Sequence, residues 1–168
     1  MTISRGCWKK ATSNPCSGPS LNSPTNDSPR SCWPDLSPLQ REGDGWRLAV
    51  NPAKPFAALV GGEGWACELR AAELQALCHG VAVLVHQHSV MAEQLMAEES
   101  ITINHESRGL WLELCGTAAS WSLRFLLEPE ADRACEGGWS AQASPQLALA
   151  LQQLAGAGAT AGLTGQFP

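Results

Sequence analysis

The stretch from residue 71 to residue 97 constrains the fold most, because no other part of the chain sustains one apolar stripe for so long without a proline. The stripe residues recur at steps of three and four, the spacing of one helix face. They are Leu74, Leu77, Val81, Leu84, His88, Met91 and Leu95, widened by Cys78, Val85 and Met96. At about 1.5 Å per residue the pattern predicts a helix of roughly 40 Å. We expect a sheet to cover its apolar face.

Strand-like alternation follows this helix directly. From residue 101 onward the apolar period falls from about 3.6 residues to 2, the period of a half-buried strand. Three such segments span residues 101–106, 110–115 and 121–127, and short turns at residues 107–109 and 116–119 join them. Successive half-buried strands with short connections predict an antiparallel meander.

Shorter strands are predicted before the helix, and a second helix near the end of the chain. Residues 45–51, 56–60 and 65–69 have strand composition, and prolines or glycines separate them. Trp139 is expected to open a further short strand or a docking segment. Ser144-Pro145 predicts a helix start, with a serine cap and a proline in the first turn. The narrow apolar stripe of this second helix is Leu147, Leu151 and Leu154.

The 168 residues, of which 44% are hydrophobic and 16% charged, suit one domain with tails. Residues 1–44 contain eight serines and six prolines without periodicity, so we expect a disordered tail. This tail has the basic, serine-rich character of an organelle transit peptide, and a plain linker or upstream stretch explains it as well. A single domain is predicted over residues 45–154, and the Ala/Gly-rich residues 155–168 predict a flexible tail.

Charge is distributed unevenly around the formal net value of −5. Residues 1–45 carry five basic and four acidic residues and are therefore +1, whereas the remainder carries six basic and twelve acidic residues and is −6. An acidic domain repels phosphate backbones at long range. The charge therefore argues against a dedicated duplex-DNA-binding protein.

The cysteines and the lack of long apolar runs indicate the cellular compartment of the protein. Seven cysteines, an odd count without any C-x-x-C pair or secretory signal, predict reduced thiols. No apolar run approaches the roughly 20 residues of a membrane span. We therefore expect a soluble cytoplasmic protein that uses no membrane. The four domain cysteines, Cys67, Cys78, Cys115 and Cys135, lie singly on separate predicted elements and are interpreted as small buried apolar residues.

No catalytic, metal or cofactor constellation stands out. His79 and His86 share the helix face opposite the apolar stripe, which predicts two solvated histidines rather than metal ligands. His88 lies on the stripe and is expected to be buried and hydrogen-bonded. His105 extends the inward face of its strand and has no companion nearby in sequence. With no acid–base pair, nucleophile motif or ligand spacing, we expect a protein that is not an enzyme.

The tryptophans are the one unusual feature, since five of the seven lie in the predicted domain. Trp121 shares a face with Leu123 and Phe125 and is expected in the core. Trp111 alternates with leucines, so it points to the opposite face beside Glu113. An outward tryptophan can stack a base or anchor a partner. Alternatively, the second helix or another protomer covers it. Both readings stay open.

With these residues laid out, the chain resembles a family of uncharacterised cyanobacterial proteins, the domain of unknown function 1818. The resemblance covers about residues 40–154. It rests on the segments 42–48, 59–69, 72–74, 98–99, 110–113, 122–124 and 137–139, of which Leu59-Val60-Gly61-Gly62-Glu63-Gly64-Trp65 is the most specific. Two features depart from it: Arg70 stands where a Thr-type helix cap is expected, and the first 40 residues have no counterpart.

The resemblance implies an α+β domain of the order βββαβββ(β)α. Its strongly curved antiparallel sheet of about six to seven strands would pack on one long helix and one shorter C-terminal helix. At fold level this looks like the Whirly and positive-cofactor-four group, which binds single-stranded nucleic acid. The family offers no active-site residues to transfer, and fold analogy alone does not carry function.

Two functions are therefore carried forward. The first is a non-enzymatic binding or adaptor protein that meets an unidentified protein partner on its sheet surface, with a homodimer as one possible assembly. The alternative is a single-stranded DNA- or RNA-binding regulator. In that protein Trp111 would stack bases, and Arg47, Arg108 and Arg124 would meet phosphates. The arginines need to converge on one face for the alternative to hold.

Overall fold

The chain folds as two successive halves, each made of four strands and then a helix, in a computed structural model that describes residues 37–128 and 133–161. The first half is β1 (Leu39–Gly43), β2 (Trp46–Val50), β3 (Ala58–Gly62), β4 (Trp65–Leu69) and α1 (Ala71–Ala92). The second half is β5 (Ser100–Ser107), β6 (Leu110–Thr117), β7 (Trp121–Leu127), β8 (Cys135–Trp139) and α2 (Ser144–Ala161).

The strands form two antiparallel meanders rather than one sheet. β1 to β4 pair in chain order and form the first sheet, and β5 to β8 pair in chain order and form the second sheet. The predicted α+β class with antiparallel strands is confirmed, and the predicted single sheet of six to seven strands is corrected to two sheets of four. Alternation shows that a segment is a strand but not which strand it pairs with. The helix between β4 and β5 carries the chain to a new sheet instead of returning it to the old one.

The first helix is shorter than its stripe predicts. It begins at Ala71 as expected, where the backbone N–H of Arg70 donates to Glu73 Oε2 at 2.7 Å, but it ends at Ala92 rather than residue 97. Met91 is 42% exposed and Met96 is 79% exposed, so the stripe loses its covering surface at this end. A helix gains most of its stability from packing an apolar face. The helix therefore ends where the covering surface ends, although the apolar pattern continues in the sequence.

Order extends beyond the predicted domain at both ends. β1 lies inside the predicted disordered tail 1–44, so that prediction is wrong for residues 39–43. Leu39 packs against the core, and Arg41 Nη1 donates to Gln153 Oε1 of α2. At the other end α2 runs to Ala161, seven residues into the predicted flexible tail 155–168. The rest of both predicted tails, residues 1–36 and 162–168, falls outside the described residues.

The core lies between the two sheets and the two helices. α1 packs on β5, β6 and α2, while α2 packs on β2 and β7. The largest fully buried side chains are Phe125, Leu48, Leu69, Leu74, Leu77, Leu84, Leu110, Leu112, Leu114, Leu123, Leu127 and Leu147. Both helices therefore join the sheets from the inner side, and each sheet keeps one outward face.

Three aromatic rings hold the sheets together where β3, β4 and β8 meet. The ring centroid of Trp139 lies 5.1 Å from that of Trp65 and 5.4 Å from that of Phe125. Trp139 Nε1 donates to the carbonyl of Gly61 at 2.8 Å. Trp139 thus ends β8 and is 2% exposed, whereas the sequence predicts that it opens a short strand or a docking segment.

The Ser144 side chain does not act as the predicted helix cap. Its hydroxyl accepts the backbone N–H of Leu123 at 2.9 Å and lies 2.9 Å from the carbonyl of Trp139. The side chain is fully buried and joins the start of α2 to β7 and β8. The helix does begin at Ser144-Pro145, so the position was predicted correctly and the role of the serine was not.

Candidate partner-binding surface

A continuous row of four side chains crosses the outward face of the second sheet. The strand register places Glu106 opposite Trp111, Trp111 opposite Leu126, and Leu126 opposite Glu136. We call these four residues the Trp111 row. Its centre is apolar and half-buried, and both ends are exposed carboxylates. The row exists because strand alternation sends Leu110, Leu112 and Leu114 inward and Trp111 outward, as predicted.

A shallow groove of about 400 Å³ opens over this row. Besides the row itself, Arg124 and Glu128 line it. Three carboxylates against one guanidinium leave the lining at −2. A tryptophan and a leucine on the floor, with acidic groups around them, suit a ligand that is apolar at its centre and basic at its edges.

Arg124, the only positive charge among the groove-lining residues, is already paired. Its Nε donates to Glu136 Oε1 at 3.1 Å, and its Nη2 donates to the same oxygen. Both side chains are exposed, at 58% and 54%. The hydrogen bond and charge of Glu136 raise the pKa of Arg124, so the guanidinium stays protonated. A phosphate would have to displace Glu136 from this arginine.

The three predicted arginines are distributed over both sheets. Arg47 lies on β2 of the first sheet, where its Nη2 donates to the carbonyl of Trp65 at 3.3 Å. Arg108 occupies the turn between β5 and β6 with φ of 53°, followed by Gly109 at 73°. Two successive positive φ values are typical of a type I′ hairpin turn. Because Arg47 belongs to a different sheet from Arg124, the three arginines do not line one sheet.

The histidines divide as their sequence positions predict. His79 and His86 are exposed, and His88 is 4% exposed with its Nε2 3.0 Å from the carbonyl of Thr117. His105 faces inward, and its ring centroid lies 5.8 Å from that of His79. His105 Nε2 is buried and has no hydrogen-bond partner among the described residues. Within residues 37–128 and 133–161, no three His, Cys, Asp or Glu side chains are grouped to hold a metal ion.

Two hairpin turns of the first sheet share a pattern whose role sequence reasoning missed. Gly-acid-Gly-Trp occurs at residues 43–46 and again at residues 62–65. In each turn the indole lies across the first glycine, since an added Cβ would stand 2.4 Å from Nε1 of Trp46 or Trp65. The repeat was visible in the sequence. The contacts show that it packs tryptophan over a hairpin, which gives the motif a structural role.

The fold and surface define a two-sheet α+β domain with one aromatic, acid-rimmed outward face. The family described as "Domain of unknown function (DUF1818)" matches residues 41–154, and the chain belongs to it. The chain is also similar to the crystal structure of a protein with unknown function from the DUF155 family of Prochlorococcus sp. NATL2A. The two are 32% identical with a TM-score of 0.66, over 70% of this chain and 98% of that one. No curated protein matches the chain.

The length and hydropathy of a helix decide whether it can cross a membrane. Neither α1 nor α2, the helices of the described ranges, is long and apolar enough to cross a bilayer.

Proposed function

We propose that this protein is a non-enzymatic adaptor that binds a basic segment of a protein partner on the Trp111 row. One observation carries the proposal: Trp111 and Leu126 lie side by side on an exposed sheet face and are flanked by carboxylates that outnumber the one arginine. Aromatic anchors supply most of the binding energy in protein interfaces. The uncompensated carboxylates select for lysine or arginine beside the apolar contact.

The chemistry of the row suits an extended segment with alternating apolar and basic residues. The apolar residues would cover Trp111 and Leu126, and the basic residues would meet Glu106 and Glu128. A cation above the indole adds roughly 0.5–2 kcal/mol, depending on how far it is desolvated. Because the rim charges are exposed, they contribute mainly to the association rate and to its salt dependence.

Single-stranded nucleic acid is the second candidate, and one specific observation favours it. Trp111 stands on an open sheet face, where base stacking is worth about 1–3 kcal/mol per base. The charges of the groove oppose this candidate, because phosphate contacts supply most non-specific affinity and Arg124 is held by Glu136. The predicted likeness to the Whirly group belongs to this candidate and stays a prediction.

A photo-crosslinking experiment in cells that express the full chain tests the proposal. A photoreactive amino acid replaces Leu126 in one variant and Ala66 in a control variant. Ala66 is exposed on the first sheet, outside the Trp111 row. We expect protein adducts from position 126 that map to lysine- or arginine-bearing segments, and few from position 66. Nucleic-acid adducts from position 126, or equal protein adducts from both positions, would overturn the proposal.

Binding of the crosslinked segment to purified full-length protein then measures the role of each residue. Trp111→Ala should weaken the affinity at least tenfold, as truncation of an aromatic anchor does. Glu128→Lys should slow association and reduce the salt dependence, whereas Glu63→Gln, an exposed carboxylate of the first sheet, should change neither. Unchanged affinity in Trp111→Ala refutes the assigned surface. Micromolar single-stranded DNA or RNA binding that Trp111→Ala abolishes establishes the second candidate.

A further inference from the structure

Two cysteines that are far apart in sequence meet where the two sheets pack together. Cys67 lies on β4 and Cys135 begins β8, and these two strands are in contact. Side chains of the two strands are in contact beside the cysteines: Trp65 of β4 lies against Gly137 of β8, and Arg133, two residues before Cys135, has its Nη1 3.9 Å from Cys67 Sγ. Cys67 is 5% exposed, whereas Cys135 is half-buried and so remains within reach of a small reagent. Both are free thiols.

Arg133 is held directly beside this pair. Its Nη1 lies 3.9 Å from Cys67 Sγ and donates to the carbonyl of Glu68 at 2.6 Å. Its Nη2 donates to Glu73 Oε2, and its guanidinium carbon lies 5.0 Å from the ring centroid of Phe56. A cation fixed near two sulfurs stabilises a thiolate. Four contacts from different elements therefore position a positive charge at the thiol pair.

The two thiols differ in reactivity because they differ in burial and in neighbouring charge. Burial and, to a smaller extent, the adjacent Cys135 raise the pKa of Cys67 to about 12, while Arg133 opposes the rise. Cys67 therefore keeps its proton at neutral pH. Cys135, the more exposed sulfur, is the one that an incoming reagent reaches first.

We propose that Cys67 and Cys135 form a reversible redox dithiol that reacts with small disulfides such as oxidised glutathione. The Cys135 thiolate attacks one sulfur of the glutathione disulfide, releasing one glutathione thiolate and forming a mixed disulfide. The Cys67 thiolate then attacks Cys135 Sγ and releases the second glutathione. Two protein thiols are oxidised to one disulfide, and one glutathione disulfide is reduced to two thiols, whose protons come from the cysteines.

The second step follows readily from the first because of the local charges. Once Cys135 carries glutathione, its contributions to the raised pKa of Cys67 disappear, while Arg133 remains. Cys67 then gives up its proton more easily and lies next to the sulfur that it attacks. Arg133 acts as a positioning residue for this step. The product joins β4 of the first sheet to β8 of the second.

Oxidation of the purified full-length chain with glutathione disulfide tests the proposal. After alkylation of the remaining thiols, peptide mass spectrometry should identify a Cys67–Cys135 disulfide. Cys115 is the matched control, because it is half-buried like Cys135 and receives a hydrogen bond from Thr102 but has no cysteine partner in the described residues. Any glutathione attached to Cys115 should therefore persist, whereas glutathione on Cys135 should be expelled.

Two variants separate the steps. Cys67→Ser should trap glutathione on Cys135, and Arg133→Gln should prolong the lifetime of the mixed disulfide about tenfold, because the Cys67 thiolate loses its neighbouring positive charge. The disulfide should raise the thermal midpoint of the wild type by at least about 5 °C. If a variant fails to fold, the wild-type peptide map still decides. Stable glutathione on wild-type Cys135, or no Cys67–Cys135 disulfide in folded protein, overturns the proposal.

Discussion

Gly80 offers a test of the packing between α1 and the second sheet, because two opposite effects meet there. Glycine inside a helix costs about 1 kcal/mol relative to alanine. On helix propensity alone, Gly80→Ala should therefore stabilise the protein. The structure predicts the opposite sign. A Cβ at this position would stand 2.3 Å from Leu112 Cδ1 and 2.9 Å from His105 Cδ2.

The magnitude follows from these distances. Carbon atoms in contact prefer about 3.5–4.0 Å, so Leu112 would have to move by more than about 1 Å. Leu112 is fully buried, so moving it would disturb the close-packed side chains around it. Overpacking of a dense core typically costs about 1–3 kcal/mol, and the propensity gain of about 1 kcal/mol offsets part of it. A Cβ 2.3 Å from Leu112 Cδ1 is far inside contact distance, so the overpacking cost should lie in the upper part of this range, about 2–3 kcal/mol. We therefore expect a net loss of about 1–2 kcal/mol, or roughly 3–8 °C in the thermal midpoint.

Gly156→Ala is the matched control for this test. Gly156 lies in α2 and is exposed, and an added Cβ would meet no atom within 4 Å. This variant should gain about 0.4–1 kcal/mol. Thermal and urea unfolding of both variants measure the difference, and the double variant Gly80→Ala/Leu112→Val should recover at least about 0.5 kcal/mol of coupling energy. Equal stabilisation by both alanines would refute the assigned packing.

Two further stability changes follow from burial. Leu84→Ala should lower the free energy of unfolding by about 2–5 kcal/mol because Leu84 is fully buried. His86→Ala, on the exposed face, should lower it by less than about 0.5 kcal/mol. Equal losses in urea titrations would show that the buried face is misassigned. Ser144→Ala should lower the free energy of unfolding by about 1–3 kcal/mol, because the buried N–H of Leu123 loses its acceptor. Ser120→Ala, which removes an exposed hydroxyl, is the control, and equal stability of the two variants would contradict the role given to Ser144.

The secondary structure of the domain was largely readable from periodicity. β4 and β7 have the predicted bounds, α1 begins where expected, and α2 begins at Ser144. These elements bury one face each, so the apolar pattern records their geometry directly. His88 was likewise placed correctly, because a histidine on an apolar helix face must be buried with a partner.

The arrangement of those elements in space was harder to predict from the sequence. β1 carries only one half-buried residue, Leu39, among exposed neighbours, so its order comes from pairing with β2 and from the contact of Arg41 with α2. A strand held by its neighbours leaves little periodic signal. The division into two sheets depends on which strand edges meet across the core. That is a tertiary choice which single-strand patterns do not encode.

The candidate surface was predicted in part. Alternation placed Trp111 on the outward face beside Glu113, and the structure agrees. What the sequence did not reveal is the register that aligns Trp111 with Leu126 and both with glutamates, or the pairing of Arg124 with Glu136. Both depend on long-range strand register. The meeting of Cys67 and Cys135 was missed for the same reason, since the two strands belong to different sheets.

The outward faces are where the two halves of this protein differ in chemistry. The inner faces of both sheets are used in one common core, so they have little freedom to specialise. The first sheet presents Ala49, Leu59, Ala66 and Glu68 outward, and Arg47 lies across Gly61. The second sheet presents Trp111 among carboxylates. A shared arrangement of strands and helix thus supports a face of mixed small, aliphatic and charged residues in one half and an aromatic, acidic face in the other. Since aromatic residues dominate interface energies and net charge selects the partner, binding is expected to be confined to the second sheet.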